Sequence, residues 1–318
     1  MRELVIGKND AGQRLDKFIT KALPALPQSL LYKFIRLKKI KLNRARTEAG
    51  AVLREGDRLQ LFIKEEFFDK DAPDEAYRML RANIDVIYED ENIILCDKRP
   101  GLLVHSDEAE QTNTLISHIK AYLYSHGEYD PDAEQSFAPA LCNRIDRNTG
   151  GIVIAAKNAR ALREVSLAVK ERDIDKKYLC AVHGTLTKKE DTLTGYLVKD
   201  SITNTVKIYD RSPGSHAKNI VTKYRVLAEK KGLSLCEVTL VTGRTHQIRA
   251  HFAHIGHPLL GDGKYGINAA DRKKGYKYQA LYSYKLEFKA KEGSFLSYLN
   301  GRTFEVPRGK IWFLKEFD

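Results

Sequence analysis

The sequence predicts an α+β fold in which a small module precedes a larger domain built on a mixed, mainly antiparallel sheet. Two observations predict the larger domain: strand-like alternation dominates residues 84–288, and long helical patterns there are few. A third observation divides the chain, because residues 64–82 are acidic and contain Pro73. We therefore expect a module at 1–63, a mobile linker at 64–82 and a domain at 83–318.

The chain has a globular composition with an uneven excess of basic residues. Of the formal net charge of +12, residues 1–63 contribute +8, with fourteen Lys or Arg against six Asp or Glu. Such a local excess predicts a polyanionic partner, most simply a nucleic acid. Because no window is apolar enough to cross a bilayer and no signal peptide is evident, we expect a cytoplasmic protein without a membrane partner. Nothing in the sequence indicates an oligomeric state, and a monomer is the default expectation.

The N-terminal module contains two short amphipathic helices and a basic surface. A helical pattern opens at residues 12–19, and a second helix starts at Ser29. From Leu31 to Arg46 there are seven basic residues and no acidic one. Residues 51–63 are expected to form a hairpin around a Glu-Gly-Asp turn. The cations expected to bind RNA are Lys33, Arg36, Lys38 and Lys39.

This module resembles the S4 RNA-binding domain, the small α-L motif of ribosomal protein S4. The resemblance rests on Arg-Leu-Asp-Lys at 14–17, the basic second helix, the strand-like residues 39–43 and the Arg-Glu-Gly-Asp turn at 54–57. It implies that the module adds RNA affinity. The alternative is that the lysines form an ordinary solvated face, although seven unopposed positive charges repel one another when no partner is present.

The larger domain alternates strands with a few helices. A hairpin is predicted for residues 84–98, a helix for Thr112–Tyr124 and a helix capped by Asn158 for residues 158–172. Further strands are predicted at 152–156, 177–182, 221–227, 233–241 and 279–288.

The most informative stretch is Asn-Arg-Ile-Asp-Arg-Asn-Thr-Gly-Gly at 143–151, which precedes an apolar strand. An acid between two arginines, followed by a hydroxyl and paired glycines, is typical of a loop that holds a reactive group against a rigid sheet. The alternative interpretation is a surface ion-pair cluster formed by Arg144, Asp146 and Arg147. Cys142 lies close enough in sequence to Asp146 to be considered as a nucleophile, but a buried thiol is the preferred interpretation.

Two other stretches accompany the Asp146 loop: Lys-Lys-Tyr-Leu-Cys-Ala-Val-His-Gly at 176–184, and Thr-Gly-Arg-Thr-His-Gln-Ile-Arg-Ala-His at 242–251 with the Gly-His-Pro-Leu-Leu-Gly-Asp of 256–262. Together the three resemble the catalytic motifs of the RluA-type pseudouridine synthases, and the resemblance covers essentially the whole chain. The sequence departs from the family at Asn143, where many relatives have histidine.

The resemblance implies a pseudouridine-synthase-like catalytic domain that isomerises uridine in RNA without a cofactor or metal. It assigns Asp146 the role of nucleophile or of base, and the two remain open. Arg249 matches the arginine that keeps this carboxylate charged, and Tyr178 the aromatic residue that packs on the target uracil. Arg144 matches the residue that fills the place of the flipped base. In the third motif, Arg244 and His246 are expected to bind substrate.

Several alternatives stay open at the level of sequence. The target RNA is expected to be large-subunit ribosomal RNA, with transfer RNA as the other candidate. The rival functions are a non-catalytic RNA-binding or ribosome-assembly protein that retains a synthase domain, and a hydrolase that uses Asp146 with His246. The histidines at 246, 251, 254 and 257 are clustered, but Arg244 and Arg249 interleave with them, so we expect no metal site. The four cysteines, Cys96, Cys142, Cys180 and Cys236, lack metal or disulfide spacing.

Overall fold

The computed structural model describes residues 1–68, 76–108, 110–266 and 268–318. These residues form a four-stranded sheet near the N-terminus and an eleven-stranded sheet in the rest of the chain. Nearly all of the strand pairs are antiparallel, and the predicted α+β class with a mainly antiparallel sheet is confirmed. Among the described residues, the search for a helix with the length and apolarity of a membrane span finds none.

The N-terminal module packs two helices on the small sheet. Its elements are β1 (Arg2–Val5), α1 (Leu15–Ala22), α2 (Gln28–Arg36), β2 (Ile40–Leu42), β3 (Ala45–Arg46) and β4 (Arg58–Leu61), with strand order β1-β4-β2-β3. Both predicted helices are present. Their apolar residues, including Phe18 and Leu31, are buried in a core of their own, so the charged residues of α2 are left on the outside.

The predicted hairpin at 51–63 is wrong. Strand β4 pairs with β1 and β2 instead of with the preceding residues. The segment before β4 is used by the start of α1, because the Leu15 amide donates to the Ala51 carbonyl at 2.8 Å and the Asp16 amide to the Ala49 carbonyl at 3.0 Å. The first amides of a helix have no acceptor inside the helix, and here the carbonyls of residues 49 and 51 accept from them. These residues therefore pair with the start of α1 and do not form a hairpin with β4.

The predicted linker is structured where it is described. Glu65–Phe68 and Ala76–Met79 each form a short 3-10 turn, while residues 69–75 lie outside the described part of the chain. The module also contacts the larger domain directly. The side-chain amide of Gln13 donates to the Ser136 hydroxyl at 2.7 Å, and this hydroxyl donates to the Asp10 carboxylate at 2.6 Å.

The larger sheet has the strand order β11-β10-β12-β13-β9-β14-β8-β6-β5, with β7 added to β8 and β15 to β14. Its strands are β5 (Asp85–Glu89), β6 (Ile93–Lys98), β7 (Ala140–Leu141), β8 (Gly150–Ala156), β9 (Ile174–His183), β10 (Glu190–Asp200), β11 (Thr205–Tyr209), β12 (Lys218–Lys230), β13 (Leu233–Leu240), β14 (Leu281–Phe288) and β15 (Thr303–Glu305). The helices are α3 (Leu115–Ser125), α4 (Ala159–Glu171), α5 (Gln247–His254) and α6 (Asn268–Lys273).

Most predicted elements of this domain are present, and several others, among them β7, β10, β11 and β15, are additional. The β5–β6 hairpin is confirmed, and the Asn158 side chain caps α4 by accepting from the Ala161 amide at 2.8 Å. The β10–β11 pair was not predicted. In β10 only Gly195 and Leu197 are buried, so the strand lacks the clear apolar alternation that reveals a half-buried strand.

Strand β8 is buried on both faces and places the catalytic candidate at its start. Ile152 and Ile154 belong to one core, while Val153 and Ala155 belong to the core on the other face. The second core also includes Tyr178 and the apolar side of α5. The loop before β8 and the helix α5 therefore lie on the same face of the sheet.

The two glycines that open β8 are required by its pairing with β14, the one parallel pair of this sheet in the described part of the chain. Gly151 has φ 115°, and a Cβ atom there would lie 2.2 Å from the Ser283 carbonyl oxygen. A Cβ atom on Gly150 would lie 2.3 Å from the Tyr282 ring. The glycines allow this close approach, which fixes the end of the Asp146 loop.

Candidate active site

Asp146 lies on a short loop between β7 and β8 that is tied down on both sides. At its start, the Asn143 side-chain oxygen accepts from the Ile154 amide at 2.8 Å. At its end, the Thr149 amide donates to the Asp146 carbonyl at 3.0 Å, and the Gln279 side chain donates to the Thr149 hydroxyl at 3.1 Å. Asn143, the departure from the family pattern, is therefore a structural anchor of the loop.

A buried lysine, Lys98, binds the backbone of the same loop. The Lys98 ammonium donates to three carbonyl oxygens, those of Arg99 at 3.1 Å, Leu102 at 2.8 Å and Arg147 at 2.8 Å. Burial lowers the pKa of Lys98 to about 7, partly opposed by the negative charge of Asp146. The three acceptors match the three protons of an ammonium group and hold the backbone next to Asp146.

Arg249 links Asp146 to a second, fully buried carboxylate. Its Nη1 lies 3.0 Å from Asp146 Oδ2, and its Nε and Nη2 lie 2.7 and 2.9 Å from the two oxygens of Asp262. Burial raises the pKa of Asp262, but the hydrogen bonds and charge of Arg249 outweigh it, so the net pKa lies below its ordinary value. Burial lowers the pKa of Arg249, and the two carboxylates more than reverse that effect, so Arg249 stays charged beside Asp146.

His246 faces Asp146 and is positioned by Tyr265. Its Nδ1 lies 2.8 Å from the Tyr265 hydroxyl, which also accepts from the Val206 amide at 2.9 Å. Because the Val206 amide only donates, the Tyr265 proton stays available for a hydrogen bond to Nδ1, and the tautomer that accepts it carries the imidazole proton on Nε2. Burial lowers the pKa of His246, opposed by Asp146, and its Nε2 lies 3.8 Å from Asp146 Oδ2.

These groups open into a cavity of about 950 Å³. The cavity is lined by residues from all three sequence motifs, among them Lys176, and by Lys170 and Arg172, and these three cations add positive charge. The Tyr178 side chain forms part of the wall on β9, and burial raises its pKa to about 12, so its hydroxyl stays protonated at neutral pH. The cavity is wide enough for a nucleotide. Two carboxylates line it, Asp146 and Asp175, and Asp146 is the one that bonds to an arginine, Arg249, whereas Asp175 pairs with Lys289.

The structure brings most of the predicted site residues together. Those that line the cavity are Asp146, Tyr178, Arg249, Arg144, Arg244 and His246. Lys33, Arg36, Lys38 and Lys39 are exposed on or just after α2 and do not line it. Asp262, Tyr265 and Lys98 were not assigned a role from the sequence. Asp262 stood inside the third motif, and Lys98 ended a strongly apolar strand, where a charged residue calls for a partner.

The geometry also addresses the alternative roles of nearby residues. Burial raises the pKa of Cys142 to about 12, so this thiol is a poor nucleophile. The 3.8 Å separation of His246 and Asp146 exceeds a hydrogen bond, whereas Arg249 bonds to Asp146 directly. Across residues 1–68, 76–108, 110–266 and 268–318, no group of three or more His, Cys, Asp or Glu is arranged to hold a metal ion.

Comparisons with known proteins agree with this site. A family model described as RNA pseudouridylate synthase matches residues 92–254. An uncharacterized RNA pseudouridine synthase of Mycoplasma genitalium is 31% identical, with 98% of this chain and 97% of that protein aligned. Ribosomal large subunit pseudouridine synthase C of Vibrio cholerae is 28% identical, with 84% of this chain and 81% of that protein aligned. The solved structure of human RNA pseudouridylate synthase domain containing 4 shares the fold, with a TM-score of 0.57 at 22% identity over 73% of this chain and 92% of that one.

The match to the family model covers Asp146, Tyr178 and Arg249, three residues that the structure gathers on one cavity. It also covers more than half of the chain, and the relative from Mycoplasma genitalium aligns along almost its entire length. On this evidence, the chain belongs to the RNA pseudouridylate synthase family of isomerases.

Proposed function

We propose that this enzyme isomerises specific uridines of large-subunit ribosomal RNA to pseudouridine, with Asp146 as the reacting carboxylate. The observation that carries the proposal is the Asp146–Arg249 contact of 3.0 Å at the wall of a cavity that also includes Tyr178. A carboxylate held in its charged form beside the sugar and base is what the breaking and reforming of a glycosidic bond requires.

The cavity suits a uridine that has left its helix. Tyr178 offers an aromatic wall against which an uracil ring can stack while it turns, and Arg144 is exposed at the rim, where it can fill the space left by the base. Arg244 and His246 line the same cavity and are proposed to contact the same nucleotide, and His246 Nε2 faces Asp146 Oδ2 at 3.8 Å. Asp146 acts either as nucleophile on the sugar or as the base that removes a sugar proton.

Large-subunit ribosomal RNA is proposed as the target because several relatives, from Vibrio and Buchnera species, are named ribosomal large subunit pseudouridine synthase C. These relatives are 26–29% identical to this chain. Transfer RNA is the competing target. Mapping of pseudouridine in ribosomal and transfer RNA from cells that lack this protein identifies the target, since the sites it makes are those that disappear.

We also propose that residues 1–63 act as an S4-like RNA-binding module. Its surface carries cations beside aromatic rings: the Lys39 ammonium lies 5.5 Å from the Phe34 ring centroid, and the Lys41 ammonium 5.4 Å from that of Phe62. Basic side chains interleaved with aromatic rings are suited to contact both the phosphates and the bases of RNA.

The catalytic proposal is tested with Asp146→Asn, which keeps the size of the side chain and removes its charge. We expect no pseudouridine from this variant, while its RNA affinity and fold are retained. Asp210→Asn is the matched control, because Asp210 is an exposed carboxylate that pairs with His254 outside the cavity. Substantial pseudouridine formation by Asp146→Asn contradicts the proposed chemistry, and wild-type protein that binds RNA without forming pseudouridine supports the non-catalytic alternative.

The module is tested by changing Lys33, Arg36, Lys38 and Lys39 to Gln in the full chain. Each phosphate contact that is lost lowers the salt dependence of binding by roughly 0.7 to 0.9 units in a plot of log affinity against log salt. The control changes four exposed lysines at the β9–β10 and β12–β13 connections, Lys188, Lys189, Lys230 and Lys231, to Gln. If the module variant and the control show the same slope, the module does not contact RNA.

A further inference from the structure

We infer that a second basic surface, the segment 272–277 after the third motif, binds the RNA backbone next to the uridine in the cavity. The inference rests on the proposed function and assigns a part of the substrate to a surface outside the cavity. The segment reads Arg-Lys-Lys-Gly-Tyr-Lys, and its four cations are exposed. They are Arg272, Lys273, Lys274 and Lys277.

The segment concentrates the net positive charge of the larger domain. The whole chain has a net charge of +12 and residues 1–63 have +8, so residues 64–318 have +4. Residues 64–82 have −2, with four Lys or Arg against six Asp or Glu, so residues 83–318 have +6, and the four cations of segment 272–277 supply most of that excess. Four cations and no acid within six residues form a local concentration of positive charge, which is typical of a surface that binds a polyanion.

The cations of this segment are also free of carboxylate partners. Within the described ranges of the chain, none of the four forms an ion pair, whereas other exposed lysines do, such as Lys189 with Glu229 and Lys291 with Glu171. The acid next in sequence, Asp271, is buried and accepts from His183 Nε2 at 2.9 Å and from the Gly261 amide at 2.8 Å. The positive charges of the segment are therefore exposed to solvent and are not neutralised by carboxylates of the protein.

The backbone of the segment is fixed against the active-site network. A Cβ atom on Gly261, the residue before Asp262, would lie 2.2 Å from the Tyr278 carbonyl oxygen. The next residue, Gln279, is buried and donates to Thr149 at the end of the Asp146 loop at 3.1 Å. The residues that follow the segment therefore contact both the backbone next to Asp262, which binds Arg249, and the loop that carries Asp146.

A second contact joins the segment to Arg147, for which the sequence indicated no role. The Tyr278 hydroxyl packs on Gly101, where a Cβ atom would lie 2.8 Å from it. The Arg147 Nε donates to the Gly101 carbonyl at 3.1 Å, and the Gly101 amide donates to the Arg147 carbonyl at 2.9 Å. The exposed guanidinium of Arg147 therefore continues the positive surface up to the residue next to Asp146.

A phosphodiester chain is the partner that fits these features. It carries one negative charge per nucleotide, which the exposed cations of the segment can neutralise, and the partly exposed Tyr278 ring next to them offers a stacking surface for a base. The nucleotide in the cavity and its neighbours in the strand then lie on adjoining parts of one surface. The N-terminal module supplies affinity at a distance, while the segment holds the nucleotides beside the target.

The test measures RNA binding by Asp146→Asn protein, so that no turnover interferes, with a short uridine-containing single-stranded RNA as the probe. Arg272, Lys273, Lys274 and Lys277 are changed to Gln in this background. Because each phosphate contact on a single strand contributes about 0.7 units, we expect the salt slope to fall by about 1.5 to 3 units. The control with Gln at Lys188, Lys189, Lys230 and Lys231 has the same net charge and is expected to keep the slope of the parent. Equal slopes for the two variants overturn the inference.

The position of the contact is tested by photo-crosslinking from Tyr278→p-benzoylphenylalanine. Crosslinks to nucleotides adjacent to the modified uridine support the inference, and crosslinks confined to distant nucleotides overturn it. Failure of the proposed function is distinguishable from these outcomes. Wild-type protein that forms no pseudouridine refutes that function even if the segment variant loses its salt slope, and an active wild type with an unchanged segment variant refutes the inference alone.

Discussion

The two carboxylates that share Arg249 are expected to contribute very differently to stability. Asp262 is fully enclosed and bonds to Arg249 through both oxygens, at 2.7 and 2.9 Å, and also accepts from the amides of Lys264 and Tyr265. Asp146 makes one bond to Arg249, at 3.0 Å, and a quarter of its side chain is exposed. Asp262 is therefore the partner that makes the burial of the Arg249 guanidinium tolerable.

Removing one partner of a buried ion pair costs roughly 3–5 kcal/mol, because the other charge is left uncompensated. We expect Asp262→Asn to lose about that amount of unfolding free energy. In Asp146→Asn the buried guanidinium keeps Asp262, so the expected loss is below about 1 kcal/mol, the value of a partly exposed pair. Both variants are expected to lose activity, the first because Arg249 is no longer oriented and the second because the carboxylate itself is absent.

Urea unfolding followed by the fluorescence of Trp312 measures these losses, because Trp312 is the single tryptophan and packs on Phe313 in the larger domain. The pH dependence provides a second check. The folded-state pKa of Asp262 lies below its ordinary value, so its stabilisation is present above about pH 4 and is lost as the pH falls through the folded pKa. The gap between wild type and Asp262→Asn must therefore narrow in acid. Equal losses for the two variants at pH 7, or a gap that stays constant down to pH 3, would refute the reasoning.

Three other predictions follow from single contacts. Tyr265→Phe removes the hydroxyl that bonds to His246 Nδ1 but keeps the ring, so we expect a lower kcat with little change in Tm, and a changed ¹⁵N shift of His246 Nδ1 by NMR. Burial lowers the pKa of His251 to about 4, so wild type loses stability as the pH falls from about 6.5 to 4, and His251→Gln is expected to lose less in urea unfolding over that range. Gly151→Ala places a Cβ atom 2.2 Å from the Ser283 carbonyl at φ 115°, and we expect a loss of about 1–3 kcal/mol, measured by urea unfolding. An unchanged His246 spectrum in Tyr265→Phe would contradict the first expectation. Equal losses of stability in acid for His251→Gln and wild type would contradict the second, and an unchanged urea midpoint for Gly151→Ala the third.

The arrangement of the site keeps Asp146 both accessible and fixed in position. Lys98 holds the backbone beside Asp146 through the Arg147 carbonyl, and Asp262 holds Arg249. Neither supporting residue lines the cavity, so the charges that fix the geometry are kept away from the substrate. Asp146 is the member of the network that is left accessible.

The sequence by itself determined the features that depend on local patterns. Apolar periodicity located α1 and α2, the cap at Asn158 located the start of α4, and alternation indicated the sheet class. The three motifs located residues that line the cavity, because a motif is recognised from its own residue types even when its partners are far away in the chain. Local patterns were misleading at residues 51–63, where carbonyls needed by the first turn of α1 prevented the hairpin.

The tertiary structure decided which charged groups are partners. Asp262 and Lys98 look like ordinary charged residues in the sequence, and only the packing of β6, β8 and α5 shows that each neutralises or supports a specific part of the Asp146 site. Arg147 likewise acquires a role only when Gly101 and Tyr278 lie beside it. The physical reason is that the energy of a buried charge depends on the groups within a few ångströms of it, and long-range strand order brings those groups together.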